Sequence, residues 1–135
     1  MFHLASTEKM DVITLSETWL DDNYPNELLF MEDFGTSIRK YRITGPGGGV
    51  AIYVRDNLPC TQRADLESAN SECLWVEFPL NFGVVLLGVY YRPPGQRASE
   101  RDLFIGDLDH SITSALECNP KTILLTGDFN DRCRS

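Results

Sequence analysis

The sequence is poor in the features that would assign it at a glance. No apolar run approaches the roughly 20 residues a helix needs to cross a bilayer, so no membrane partner is expected. The opening MFHLASTEKM is too short and too polar for a signal peptide. Histidine is scarce, with only His3 and His110, and the cysteines Cys60, Cys73, Cys118 and Cys133 include no CxxC pair. Zinc-ligand spacing is therefore missing, and reduced core or surface thiols are the expectation. Basic residues are outnumbered, 12 Lys and Arg against 20 Asp and Glu, for a net charge of −8. That excludes nucleic-acid binding through overall charge. It leaves room for an enzyme that grips a few phosphates around a metal ion. No internal repeat or low-complexity run is present.

What remains is material for one folded domain. The chain has 135 residues, is 42% hydrophobic, and carries seven Phe, five Tyr and two Trp, enough for a real core. Six stretches read as strands: Asp11–Ser16, Val50–Val54 after a glycine run, a weak Cys60–Arg63, Leu74–Phe78, Val84–Tyr90 and Thr122–Thr126. Val84–Tyr90 and Thr122–Thr126 are continuously apolar, as in strands buried on both faces. Between these two, Leu103, Phe104, Leu108, Ile112 and Leu116 recur at helical spacing. Ser99 is the expected N-cap, with Asp102 three residues on, and Asn119-Pro120 the stop. A weaker helix is expected over Asn26–Met31. Strands followed by strand, helix, strand imply an α/β sandwich. The chain begins just before one strand and stops at Ser135 just after another, so both ends are expected to be cuts in a larger domain.

The residues able to do chemistry follow these strands. Glu17 comes directly after Asp11–Ser16 in Ser16-Glu17-Thr18-Trp19-Leu20. It reads either as a Mg²⁺ ligand at a strand end or as a first-turn acid favoured by the helix dipole. Asp128 and Asn130 follow Thr122–Thr126 in Gly127-Asp128-Phe129-Asn130, as a proton acceptor and a hydrogen-bond donor or as an Asx turn. Tyr91 and Arg92 precede Pro93-Pro94, which stiffens them as phosphate donors or as a plain surface loop. The run Gly45-Pro46-Gly47-Gly48-Gly49 lacks the lysine of a phosphate loop and reads as a tight turn. Arg39, Lys40 and Arg42 around Tyr41 form the one local basic patch, either touching a nucleic-acid backbone or simply solvated.

Taken in order, LSETWL, GGGVAIYV, VYYRPP and ILLTGDFN resemble the apurinic-type endonuclease domain of non-LTR, LINE-like retrotransposons, within the endonuclease/exonuclease/phosphatase superfamily. The resemblance runs from about Asp11 to Asn130. It implies a partial four-layer αββα sandwich occupying residues 1–135, with two sheets flanked by helices. It implies Glu17 as metal ligand, Tyr91 at the scissile phosphate, and Asp128 and Asn130 activating and orienting the attacking water. Arg92 and Arg42 are expected on phosphates. Mg²⁺, with Mn²⁺ as substitute, is the implied cofactor and DNA the implied partner, bound weakly by this piece. Fusion to a reverse transcriptase and a nuclear location are further implications. The family's early Asn and its late Ser-Asp-His have no counterparts, so a partial site with weak or no activity is expected. Two other readings stay open: a different phosphoesterase of the superfamily, and a non-catalytic remnant serving as a binding module.

Overall fold

Strand-forming sequence dominates the fold as it dominates the chain. The structure, a computed structural model, describes residues 12–16, 38–40, 49–68, 71–93 and 95–129. In chain order its elements are β1 (Val12–Ser16), β2 (Ile38–Lys40), β3 (Val50–Val54), β4 (Thr61–Gln62), β5 (Glu72–Leu80), β6 (Gly83–Tyr91), α1 (Ala98–Glu117) and β7 (Thr122–Asp128). A 3₁₀ turn, Ala64–Leu66, lies between β4 and β5. The strands form two sheets, β1-β3-β2 and β4-β5-β6-β7. All pairings are antiparallel except β6 with β7, which α1 joins as a parallel crossover. The described part is thus helix, sheet, sheet: an α/β arrangement. The expected helix over Asn26–Met31 lies outside the described residues. No described helix is long and apolar enough to cross a membrane.

Alternation along β5 and β6 divides the core. Leu74, Val76 and Phe78 of β5 and Val85, Leu87, Val89 and Tyr91 of β6 face the other sheet, where Val50, Ile52 and Val54 of β3 meet them. The opposite face carries Cys73, Trp75, Leu86 and Tyr90 under α1, packed with Leu66, Phe104 and Ala115. Here the Trp75 indole N–H donates to the Tyr90 hydroxyl at 2.9 Å, so neither polar atom is stranded in the core. Gly88 makes room for that indole, since a Cβ there would sit 2.7 Å from the ring. Gly127 lets β7 close on β6. Its φ is +137°, and a Cβ would meet the Tyr90 carbonyl oxygen at 1.8 Å.

Four expectations need correction. The helix begins two residues early, with Arg97 as its N-cap rather than Ser99. The Arg97 N–H donates to the Glu100 carboxylate at 3.1 Å, so the first-turn acid supplies the cap from within the helix. The buried stripe of α1 is Phe104, Ser111 and Ala115 with Leu108 beside them, while Leu103 and Leu116 are exposed. Small residues let the helix lie close, and Ser111 remains satisfied by donating to the Leu66 carbonyl at 2.7 Å. Arg39 and Lys40, read with Arg42 as a basic patch and given no strand, belong to β2, which pairs with β3. Finally β7 is not buried on both faces, because Leu124 and Leu125 are 51% and 41% exposed.

Candidate active site at one rim of the sandwich

Three strands end or begin at one level, for local reasons. β6 stops at Tyr91 because Pro93 follows Arg92 and has no N–H to continue a ladder. Its parallel register with β7 sets Tyr91 opposite Asp128. The ladder closes with the Arg92 N–H donating to the Asp128 carbonyl at 2.8 Å. On the other side, β5 begins at Glu72, again opposite Tyr91. Paired residues share a face of the sheet, so Glu72, Tyr91 and Asp128 stand side by side on the face turned toward the second sheet.

The second sheet delivers its own ends to the same rim. Ser16, the last residue of β1, pairs with Val50, the first of β3. Gly49, just before Val50, donates its N–H to the Glu72 carboxylate at 2.6 Å. That bond fastens the exit of the glycine run to the start of β5. Glu72 was not among the residues singled out from sequence. Its only signal there was an isolated acid at the border of an apolar run.

Of the expected site residues, the structure describes Tyr91, Arg92 and Asp128 and brings them together. Glu17, Arg42 and Asn130 lie outside the described residues. The Tyr91 ring is 2% exposed and belongs to the core between the sheets. It also lines a cleft of about 340 Å³, whose wall includes Ser71, Glu72, Gln96 and Asp107. Ser71 donates to the Asp107 carboxylate at 3.0 Å, tying that wall to α1. Arg92 does more than face outward. Its Nε–H donates to the Phe129 carbonyl at 2.5 Å and Nη1 reaches Gln96 Oε1 at 3.4 Å. The guanidinium thus braces the exit of β7, and the Phe129 ring stacks at 6.4 Å on Tyr90. Burial beside that stack pushes the Tyr90 hydroxyl up to about 12. His110 lies on the exposed side of α1, three turns along from the cleft-lining Glu100.

Among the described residues, no group of three or more His, Cys, Asp or Glu is placed to hold a metal ion. The rim nevertheless offers oxygen donors alone, from Glu72, Tyr91 and Asp128. Such donors suit a hard cation of the Mg²⁺ kind and not a thiophilic one.

Comparison with known proteins finds a family model and solved structures that the chain resembles. A family model described as "Endonuclease/Exonuclease/phosphatase family" matches residues 3–135. Among solved structures, the endonuclease domain of TRAS1, a telomere-specific non-LTR retrotransposon, superposes with a TM-score of 0.64 at 18% identity. The alignment covers 97% of this chain and 53% of that one, so the chain spans about half the length of this neighbour. No curated protein matches.

Proposed function

The chain belongs to the Endonuclease/Exonuclease/phosphatase family, and from that premise we propose that it is part of a Mg²⁺-dependent phosphodiesterase that nicks DNA on behalf of a retroelement. The observation that carries this reading is the register Glu72–Tyr91–Asp128 across β5, β6 and β7, at the rim where β1 also ends. Asp128 would hold a water and take its proton. Tyr91, gripped by the core, would offer its hydroxyl to a phosphoryl oxygen without reorganising. Asn130, two residues past Asp128, would orient the same water, and Arg92 and Arg42 would meet flanking phosphates. Glu17, directly after β1, would hold the metal ion together with phosphate oxygens. When bound, Mg²⁺ or Mn²⁺ polarises the phosphoryl oxygen and offsets charge on the leaving oxygen. DNA is the proposed substrate, with a reverse transcriptase on the same polypeptide and a nuclear site of action.

Among the described residues no histidine stands at the rim, and catalytic groups that act as a unit lose most of their effect when one is missing. The chain by itself should therefore nick supercoiled plasmid slowly at most, with the trace removed by EDTA and by Asp128→Ala. Phosphate release from nucleotides or inositol phosphates, without nicking, would shift the reading to a small-molecule phosphatase. A folded chain that does neither would be a non-catalytic binding module. Rapid nicking would show that the site is complete without the histidine.

A further inference from the structure

The ladder between β6 and β7 runs out of main-chain donors at Asp128. The two strands pair in parallel register up to Tyr91 and Asp128. Their last rung is the Arg92 N–H, which donates to the Asp128 carbonyl at 2.8 Å. A further rung would need an N–H from Pro93 or Pro94, and proline has none. The main chain of β6 therefore has nothing more to offer the segment that follows β7.

The Arg92 side chain supplies the missing donor. Its Nε–H donates to the Phe129 carbonyl at 2.5 Å, and Nη1 donates to Gln96 Oε1 at 3.4 Å. A charged donor makes the first bond stronger than the amide rung it replaces. One residue thus takes two successive carbonyls, that of Asp128 with its main chain and that of Phe129 with its side chain. The Phe129 ring adds a third anchor, stacked on Tyr90 at 6.4 Å and edge-on to Phe104 at 6.1 Å. None of these three anchors uses the Asp128 carboxylate.

We propose that Arg92 is a positioning residue: it clamps the main chain at Asp128 and Phe129 and so sets where the Asp128 carboxylate stands, a role that rests on Asp128 being the base of the nuclease proposed above. The clamp differs from a phosphate contact in what fails when Arg92 is lost. A phosphate contact carries affinity, and removing one lowers the salt slope by about one. A clamp on a general base carries rate, because a misplacement of about 1 Å can cost on the order of a hundredfold. The two roles also ask for different chemistry. A phosphate needs the charge at the end of the side chain, whereas the Phe129 carbonyl needs an N–H at the position of Nε. Glutamine places its amide nitrogen at that position without charge, and lysine keeps the charge but has a methylene there.

Two measurements on wild type, Arg92→Ala, Arg92→Gln and Arg92→Lys test this. The first, amide hydrogen exchange by NMR, needs no activity. In Arg92→Ala the amides of residue 92 and Asp128 should exchange roughly ten- to a hundredfold faster, as for loss of a bond to a charged group. Arg92→Gln should recover most of the protection and Arg92→Lys little of it. The Lys121 amide, bonded to Val84 at the other end of the same strand pair, should not change. The second is Mg²⁺-dependent plasmid nicking. In Arg92→Ala kcat should fall about tenfold or more with KM within about threefold of wild type, again recovered by Gln and not by Lys. Arg101→Ala, which removes the same charge from an exposed position on α1, should match wild type throughout. Should Arg92→Ala fail to fold, the comparison of Gln with Lys decides alone. Unchanged exchange in Arg92→Ala overturns the proposal, and so does a rise in KM at constant kcat that Lys recovers and Gln does not. Wild type that never nicks refutes the nuclease and with it the catalytic role of Arg92, while the exchange experiment still decides the clamp.

Discussion

At Glu72 a single carboxylate holds two sheets together where the candidate chemistry lies. Its bond to the Gly49 N–H is 2.6 Å, the short length of a charge-assisted hydrogen bond. Such bonds contribute roughly 1.5–3 kcal/mol. Glu72→Ala should therefore lower unfolding stability by about 2 kcal/mol, and Glu72→Gln, which keeps an acceptor, by less. Urea titration of both variants checks the order, and equal losses would mean that the bond to Gly49 contributes nothing. Tyr90 makes a second residue-scale prediction. Burial raises its hydroxyl to about 12, above the roughly 10 of an unfolded tyrosine. Below pH 10 both states are neutral and the contribution is fully present. As pH rises from 10 to 12 the unfolded chain ionises first, so stability is lost across that window. The loss is on the order of 2–3 kcal/mol and should vanish from the pH profile of Tyr90→Phe. That variant should also be less stable by about 1–2 kcal/mol at neutral pH, since the buried Trp75 N–H loses its acceptor. An unchanged alkaline profile in Tyr90→Phe would assign the loss to other groups.

The helix shows how a legible element can still be misjudged in detail. Apolar spacing located α1 to within a residue or two, yet its stripe turned out to be Phe104, Leu108, Ser111 and Ala115 rather than one including Leu103 and Leu116. Phe104→Ala should accordingly cost about 3–4 kcal/mol, while Leu116→Lys should stay within about 0.5 kcal/mol of wild type. Thermal melts of the two compare the faces directly, and a large loss in Leu116→Lys would restore the apolar stripe. The strands were easier to read because β-branched runs bounded by Gly, Pro and Asn leave few alternatives. Val50–Val54 falls on β3 residue for residue, whereas β5 and β6 extend one or two residues further at each border. Those extra residues, Glu72 and Tyr91, pair with each other at the rim. Strand ends depend on partners in other strands, which no local pattern encodes. The same reason hid Glu72 as a bridge, because its acceptor role needs Gly49, 23 positions away. β2 was missed because three residues rich in Lys and Arg carry no alternation to read. The exposed faces of β7 were hidden too, since an apolar run shows that a strand wants cover and not whether cover is there.

For the molecule as a whole, charge and geometry pull apart. The rim gathers Glu72, Tyr91 and Asp128, an arrangement proposed to work on a phosphodiester. Yet the chain carries −8 overall, and DNA is itself a dense polyanion. Affinity for duplex DNA comes mainly from phosphates neutralised by Lys and Arg, and each such contact steepens the salt dependence. Among the described residues Arg63 is taken up by Asp65 and Glu77 and Arg92 braces Phe129, so neither is spare for a phosphate without giving up a bond. Binding should then be weaker than the roughly 10⁻⁴–10⁻⁶ M usual for non-specific DNA binders at physiological salt. The plot of log affinity against log salt should also be shallow, with a slope corresponding to about one or two phosphates. Fluorescence anisotropy on a labelled duplex across a salt series measures both quantities. Micromolar binding with a steep salt slope would mean that a concentrated basic surface, formed around residues such as Arg39, Lys40 and Arg42, overrides the net charge and delivers DNA to the rim.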